Sequence, residues 1–467
     1  MSTPNTHFGA QKIGEYISKC KRIYFVGIGG VNMSSLALIT KKRGFEVSGS
    51  DRMRTSVTER IEKSGIKVYY SHEAEHIKGF DALVYTVAIS PDNPEYAAAL
   101  ASGIMCISRA DYLGYIMTGY KNRIGVSGMH GKSTTTSMCA QVFMDAQEDP
   151  TVLSGAELLS MGGAFRIGGK EHFIFEACVY MDSFLDFNPT LAIVLNIERD
   201  HVDYFHSMEQ ICASYAHFAS ITQKNGYAVI NADDGNVMSA LSDYCGTKVT
   251  FSTKDKKADF FADNITYEHG RAHFDILCGG KPFCSVQLSV PGDHNIYNAL
   301  ATAAAAHICG IEADKIAAGL KNFTGAVRRT EYKGKLNGAD VYDDYGHHPT
   351  EVKTTLRGLH RMGYGRIWCV FQPHTYTRTK ELFSDFADAL GEADTAIIYK
   401  IYPARETDTL GMSAALLAKQ LGNRGLSIED FDEIADFLRK NVRSGDAVMV
   451  MGAGDVYELF ERLELKK

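Results

Sequence analysis

The seven residues Gly128-Met129-His130-Gly131-Lys132-Ser133-Thr134 sit where a strand signal, Arg123 to Ser127, gives way to a Thr-rich helix start. That order suits a triphosphate. Glycines let backbone amides reach the β- and γ-phosphates, the Lys132 ammonium adds positive charge, and the Ser133 hydroxyl can join a magnesium shell. Two residues separate the glycines, where the usual P-loop has four. The spacing points to a different ATPase class, with a surface turn that merely carries Lys-Ser-Thr as the plain alternative.

Glu176 ends one apolar strand signal, and His201 follows another in Asn196-Ile-Glu-Arg-Asp-His201. In an open α/β sheet, strand carboxyl ends face the same crevice as a phosphate loop. A carboxylate and an imidazole there could complete a magnesium site, although Mg²⁺ prefers oxygen ligands. Equally, Glu198, Asp200 and Asp203 could do no more than charge a helix N-terminus.

Two later loops also carry chemistry. In Asp343-Asp-Tyr-Gly-His-His-Pro349-Thr-Glu351, Asp344 at a strand end could accept ribose hydroxyls. His347 and His348 could handle protons or anionic groups. In Gln372-Pro-His-Thr-Tyr-Thr-Arg378, the Arg378 guanidinium could grip a carboxylate in bidentate fashion. Gly452-Ala-Gly-Asp455 reads as a turn with a helix cap.

An earlier loop, Gly27-x-Gly29-Gly30-x-Asn32, follows the strand signal Arg22 to Val26. Side-chain-free amides at a helix N-terminus can hold a diphosphate. Asp51 lies 24 positions after Gly27, where an acidic residue would meet a ribose hydroxyl. Asn32 takes the place of the third glycine, so a plain tight turn competes with a nucleotide site.

These loops need rigid strands behind them, and the sequence supplies three blocks of alternating strand and helix signals. The first has strands at 22–26, 45–48 and 82–87, with a helix from Met33 to about Lys42. The second has buried-strand runs at 123–127, 173–176 and 191–196, then shorter alternating segments to Val290 and an Ala-rich helix from Asn298 to Ile311. The third has strands at 341–344, 367–371, 396–401 and 447–451. Alternation of this kind predicts α/β domains built on mostly parallel sheets. The division falls at 1–119, 120–324 and 325–467.

Composition agrees. At 467 residues the chain is too long for one core, and about 150 residues per domain gives about three domains. Forty-five per cent hydrophobic and 22% charged residues exclude global disorder. Gly 43 against Pro 10 fits a compact protein with several glycine-built loops. The net charge of −7 argues against a nucleic-acid partner, and no apolar run is long enough to span a membrane. Ten scattered cysteines without a CxxC pair predict reduced thiols, and with no signal peptide in view the expectation is a cytoplasmic enzyme.

Taken together, these residues resemble the Mur ligase family over essentially the whole chain. The second loop is similar to that family's Gly-Thr-His-Gly-Lys-Thr, and the first to its Gly-Ile-Gly-Gly-x-Gly-Met-Ser. Pro291-Gly-Asp-His-Asn295-Ile-Tyr-Asn298 resembles its adenine-binding segment, and the Asp-Asp-Tyr-Gly-His-His-Pro-Thr-Glu and Phe-Gln-Pro-His-Thr-Tyr-x-Arg segments are the most discriminating. The resemblance implies an N-terminal Rossmann-like domain for a UDP sugar, a central P-loop-type ATPase domain with a mixed sheet, and a C-terminal Rossmann-like domain for an amino acid.

It further implies ATP- and Mg²⁺-dependent joining of L-alanine to the lactyl carboxylate of UDP-N-acetylmuramate through an acyl phosphate. That is a step of peptidoglycan precursor synthesis, and so of cell-wall biogenesis and division, carried out by a monomer or homodimer. Residue by residue, Gly128 to Thr134, His294, Asn295, Asn298, Arg329 and Asp344 would bind ATP. Ser133, Glu176 and His201 would hold the metal. His348 and Arg378 would serve the incoming alanine and the acyl phosphate, and Gly27, Gly29, Gly30, Asp51, His72, Arg109 and Arg166 the UDP sugar.

The chain departs from the family pattern at Asn32, Met129, Ala164 and Val179. Lys132, Glu176 and His201 stand, so the departures bear on the UDP sugar more than on ATP. Two rival readings remain: a nicotinamide-dependent oxidoreductase, suggested by the first loop and Asp51, and a ligase-like binding protein without turnover.

Overall fold

The computed structural model describes residues 3–177, 184, 186–200, 204–222, 225–404, 406–408 and 410–466. Val179 and His201 lie outside them. Three sheets follow one another along the chain.

The first is wholly parallel: β1 (Arg22–Val26), β2 (Glu46–Ser50), β3 (Lys67–Tyr69), β4 (Ala82–Tyr85) and β5 (Met105–Ser108), in the order β3-β2-β1-β4-β5. The order reverses between β1 and β4, which opens a crevice above their carboxyl ends. Strand β2 starts and ends slightly later than its apolar residues suggest, because Ser50 pairs with Val26 and extends the ladder through polar positions. Strand β4 stops at Tyr85, short of Val87.

The central sheet has ten strands. They are β6 (Asn122–Ser127), β7 (Thr151–Leu158), β8 (Gly163–Arg166), β9 (His172–Glu176), β10 (Leu191–Val194), β11 (Tyr227–Asn231), β12 (Thr247–Ser252), β13 (Phe260–Glu268), β14 (Arg271–Cys278) and β15 (Lys281–Pro291). The order β15-β14-β13-β12-β11-β10-β6-β9-β7-β8 makes the sheet mixed, parallel in the middle and antiparallel at both edges. The Ala-rich helix spans His294–Ile308, beginning earlier than its alanines do, because Gly292 (φ 98°) makes the turn just after β15. Its buried alanines let it lie close to the helix Lys132–Asp145.

The third sheet contains β16 (Glu331–Leu336), β17 (Ala339–Asp344), β18 (Ile367–Phe371), β19 (Thr395–Ile398), β20 (Gly425–Ser427) and β21 (Ala447–Met451). It runs β16-β17-β21-β18-β19-β20, with β16 antiparallel. Every residue of β18 and β21 is buried, as expected when helices cover both faces. The connection from the central sheet holds two non-glycine residues in the left-handed region, Arg328 (φ 56°) and Thr330 (φ 48°). Asp344 pins this bend by accepting both the backbone N–H (2.8 Å) and the hydroxyl (3.1 Å) of Thr330. Among the described residues, no helix is long and apolar enough to cross a membrane.

Candidate active site

The loop between β6 and the helix Lys132–Asp145 lies at the carboxyl edge of the central sheet. Gly131 adopts φ 82°, and a Cβ there would come within 2.7 Å of Asn298 Oδ1, so this crossing admits only glycine. Asn196, past β10, clasps the loop from the side: its Oδ1 accepts from His130 N (2.8 Å) and its Nδ2 donates to His130 O (3.0 Å). Lys132 Nζ arches over the loop and donates to the carbonyls of Gly128 (2.7 Å) and Met129 (2.8 Å). Met129 itself is buried, and Thr134 lines the adjacent cavity.

Ser133 Oγ donates to Glu176 Oε2 at 2.7 Å, and the same carboxylate oxygen accepts the N–H of Gly155 at 2.8 Å. A hydroxyl and a carboxylate thus meet beside the phosphate loop, an all-oxygen pair of the kind magnesium favours. Arg329 reaches across from the third-sheet side to donate to Ser133 Oγ at 3.3 Å.

Between the central and third sheets lies a cavity of about 180 Å³, lined among others by Gly131, His294, Asn298, Arg329, Asp344 and Glu351. Asn298 Nδ2 donates to Asn295 Oδ1 (3.0 Å), and Asn295 Nδ2 donates to Pro291 O (2.6 Å). Burial holds His294 neutral, with its pKa lowered to about 4. Asp344 is buried as well, which raises its carboxyl above the usual range despite Arg329 nearby. The structure therefore brings His130, Gly131, Thr134, His294, Asn295, Asn298, Arg329 and Asp344 to one interdomain cavity, and Arg329 links it to Ser133 and Glu176 beside it.

His348 and Arg378 stand on the third-sheet side of the same boundary. His348 caps the helix Pro349–Arg361, taking Thr350 N on Nδ1 (3.3 Å), while its Nε2 faces Arg199 O (3.3 Å). Arg378 Nε donates to Asp200 Oδ1 at 2.9 Å, with side chains only 10% and 6% exposed. Its Nη1 faces His374 Nδ1 (3.2 Å). Of Glu198, Asp200 and Asp203, for which charge at a helix start is one of two sequence readings, Glu198 and Asp200 bond to Thr350 and Arg378 on the third-sheet side, and Asp203 lies outside the described residues.

Sequence reasoning missed His130's partners. Its Nδ1 lies 3.2 Å from Glu351 Oε1 and its Nε2 3.5 Å from Glu198 Oε2, and Thr350 Oγ donates to that same Glu198 oxygen (2.6 Å). These are ion-pair contacts rather than aligned hydrogen bonds. His130, Glu198 and His348 lie close enough to surround a cation. Two imidazoles do not suit magnesium, however, and both His348 nitrogens already have partners. A signal was present in the sequence, since Pro349-Thr-Glu351 has the Pro-then-Glu order of a capped helix start.

In the first domain, Gly27 (φ 79°) turns the chain after β1, and a Cβ there would come within 2.5 Å of Thr86 Cγ2. Asp51 Oδ2 accepts the N–H of Gly29 at 2.8 Å, and Gly30 precedes the helix Val31–Lys42. His72 lies just past β3, and Arg109 opens the helix Arg109–Met117 after β5. Arg166, on β8, is bonded to Pro150 O and Asp149 Oδ1, both at 2.5 Å, and so is engaged within the central domain.

The chain matches the Mur ligase family catalytic domain over residues 22–121, the Mur ligase middle domain over 126–306, and the Mur ligase glutamate ligase domain over 328–454. A UDP-N-acetylmuramate–L-alanine ligase of Acetivibrio thermocellus is 46% identical over 448 residues, which is 95% of this chain and 96% of the relative. The chain belongs to the Mur ligase family. A second relative of the same name, from Clostridium tetani, is 42% identical over 95% of this chain and 98% of its own. In structure, this Mur ligase is similar to a UDP-N-acetylmuramate–alanine ligase of Thermotoga maritima, with a TM-score of 0.77, 26% identity, and coverage of 95% and 98% of the two chains.

The His130 contacts give this Mur ligase a pH signature. Burial alone would lower the His130 pKa, but Glu198 and Glu351 outweigh it and raise it to about 9. Burial likewise opposes ionising Glu198, yet His130 brings it down to about 2. A raised imidazole stabilises fully below its unfolded value near 6.5, and the contribution is lost as pH rises through about 9. A lowered carboxyl stabilises above its unfolded value near 4.5, and the contribution is lost as pH falls towards about 2. The thermal midpoint is therefore expected to decline from pH 6.5 to 9 in the wild type and to decline less in His130→Asn. Parallel curves for the two proteins would contradict the pairing.

Proposed function

We propose that this chain joins L-alanine to the lactyl carboxylate of UDP-N-acetylmuramate at the expense of ATP, in the cytoplasm, with ADP and phosphate as the other products. The observation that carries this reading is one interdomain cavity lined by Gly131, Thr134, Asn298, Arg329 and Asp344, from which Arg329 reaches the Ser133–Glu176 pair, with Arg378 across the same boundary. The names of the relatives supply the substrate. In this reading residues 1–119 take the sugar nucleotide, 120–324 ATP and 325–467 the amino acid.

A carboxylate resists attack by an amine because its charge is delocalised. Transfer of the γ-phosphoryl group to one carboxylate oxygen gives an acyl phosphate and ADP. The alanine nitrogen then adds to the acyl carbon, phosphate leaves, and the nitrogen loses its proton as the amide forms. Little covalent work falls to the protein, which positions the reactants and offsets charge. Lys132 and Arg329 supply positive charge at the phosphate loop, and Asp344 takes ribose hydroxyls. Ser133 and Glu176 offer the oxygens for Mg²⁺, joined through the family resemblance by His201. Bound there, Mg²⁺ would neutralise phosphate charge. His348 and Arg378 serve the amino acid and the acyl phosphate.

The test is phosphate release with UDP-N-acetylmuramate, ATP and Mg²⁺, adding each amino acid in turn. L-Alanine is expected to stimulate release more than serine or glycine. Binding of the UDP sugar without alanine-dependent release would instead favour a protein without turnover.

A further inference from the structure

Glu351 stands in the first turn of the helix Pro349–Arg361, with its side chain only 16% exposed. Its Oε2 accepts two backbone N–H groups, those of His347 (2.9 Å) and His348 (3.2 Å). A capping box needs only the N–H of the cap residue, here His348. The other bond fixes the residue before the cap, so one oxygen holds both histidines of the loop from Asp344 to Pro349. Asp344 fastens the start of that loop by accepting the N–H of Gly346 at 2.7 Å.

The second carboxylate oxygen faces another domain. Oε1 lies 3.2 Å from Nδ1 of His130, in the middle of the phosphate loop, whose side chain is 12% exposed. The His130 and His348 rings lie beside each other there, with centroids 4.6 Å apart. Burial opposes ionising Glu351, yet His130 holds its carboxyl well below the usual carboxylate range. A helix cap by itself requires neither this charge nor a partner across a domain boundary, since glutamine serves as well at that position. One carboxylate thus ties the loop read as holding the triphosphate to the loop read as holding the amino acid.

Attack on an acyl phosphate needs the amine about 3–3.5 Å from the acyl carbon, and a misplacement of about 1 Å can cost about a hundredfold. We propose that Glu351 is a positioning residue that sets the amino-acid loop on the phosphate loop through His130, and so places the alanine amine against the acyl phosphate. The inference rests on the reading of the chain as an alanine-adding ligase.

Glu351→Gln keeps an acceptor for the two backbone N–H groups and removes the charge that faces His130. The KM for L-alanine is expected to rise about tenfold. The KM values for ATP and UDP-N-acetylmuramate stay within about twofold, because Asn196 clasps the phosphate loop from its own domain. His130→Asn raises the alanine KM by a similar factor, and the double variant raises it no further than either change alone. A wild-type alanine KM in Glu351→Gln would reduce Glu351 to a helix cap and overturn the proposal. Equal rises for all three substrates in Glu351→Gln, or effects that multiply in the double variant, overturn it too. Should Glu351→Gln fail to fold, His130→Asn decides alone, and an alanine KM that rises no more than that for ATP overturns it. Wild-type protein that releases no phosphate in response to L-alanine fails the ligase reading, and this role with it, a result distinct from any comparison of variants.

Discussion

Lys132→Ala abolishes ADP formation, by about a hundredfold or more, while UDP-N-acetylmuramate still binds within about twofold. The ammonium lies over the phosphate loop, 2.7 and 2.8 Å from the carbonyls of Gly128 and Met129, at the N-terminus of the helix Lys132–Asp145. Phosphoryl transfer spreads charge over the γ-phosphate oxygens, and a fixed cation there stabilises the transition state more than the ground state. Arg329 also reaches this point through Ser133, but from the opposite domain and with a planar fork, so it does not substitute for a point charge. Separate measurements of ADP release and of UDP-sugar binding decide the matter. Retained turnover, or a parallel loss of sugar binding, would remove Lys132 from the role.

The second large effect belongs to Arg378. Arg378→Ala takes the guanidinium away from the Asp200 carboxylate, a buried contact that spans two domains. Breaking one side of a buried pair costs about 3–5 kcal/mol. Here the cost falls on the contact between the two domains, so kcat/KM for L-alanine is expected to drop by about a hundredfold or more. The KM for L-alanine should rise much more than that for ATP. In the Arg378→Ala background, Asp200→Asn should recover part of the loss, because it removes the buried charge left unpaired. Additive losses would mean that the two residues act separately.

Much of this site was legible because its residues lie at strand ends with punctuating glycines. The Gly-Lys-Ser loop, Glu176 and Asp344 each follow an apolar run, so their strands and their shared crevice could be read together. The partners of His130 and Arg378 could not. Glu198 and Asp200 are brought to them by docking of one domain on another, which no local periodicity encodes. Glu95 was hidden for a different reason, since a glutamate next to proline in a helix start reads as an ordinary cap residue. Tyr24 on β1, Ser50 on β2, and His72 and His76 beyond β3 are its four partners, brought together only by the fold. The Ala-rich helix begins four residues before its sequence signal because His294, Asn295 and Tyr297 break the small apolar run, although Asn295 and Ile296 are buried.

The bend at Arg328 and Thr330 carries one more implication. Asp344 holds that bend by the backbone and hydroxyl of Thr330, yet it is also the group proposed to take the ribose hydroxyls. One carboxylate then answers to both the connecting segment and the nucleotide, so their free energies are linked and the linkage is reciprocal. A change of sequence that relaxes the connection alters nucleotide affinity without touching the nucleotide. A nucleotide lacking its ribose hydroxyls would occupy the cavity yet send no message to the joint between the domains.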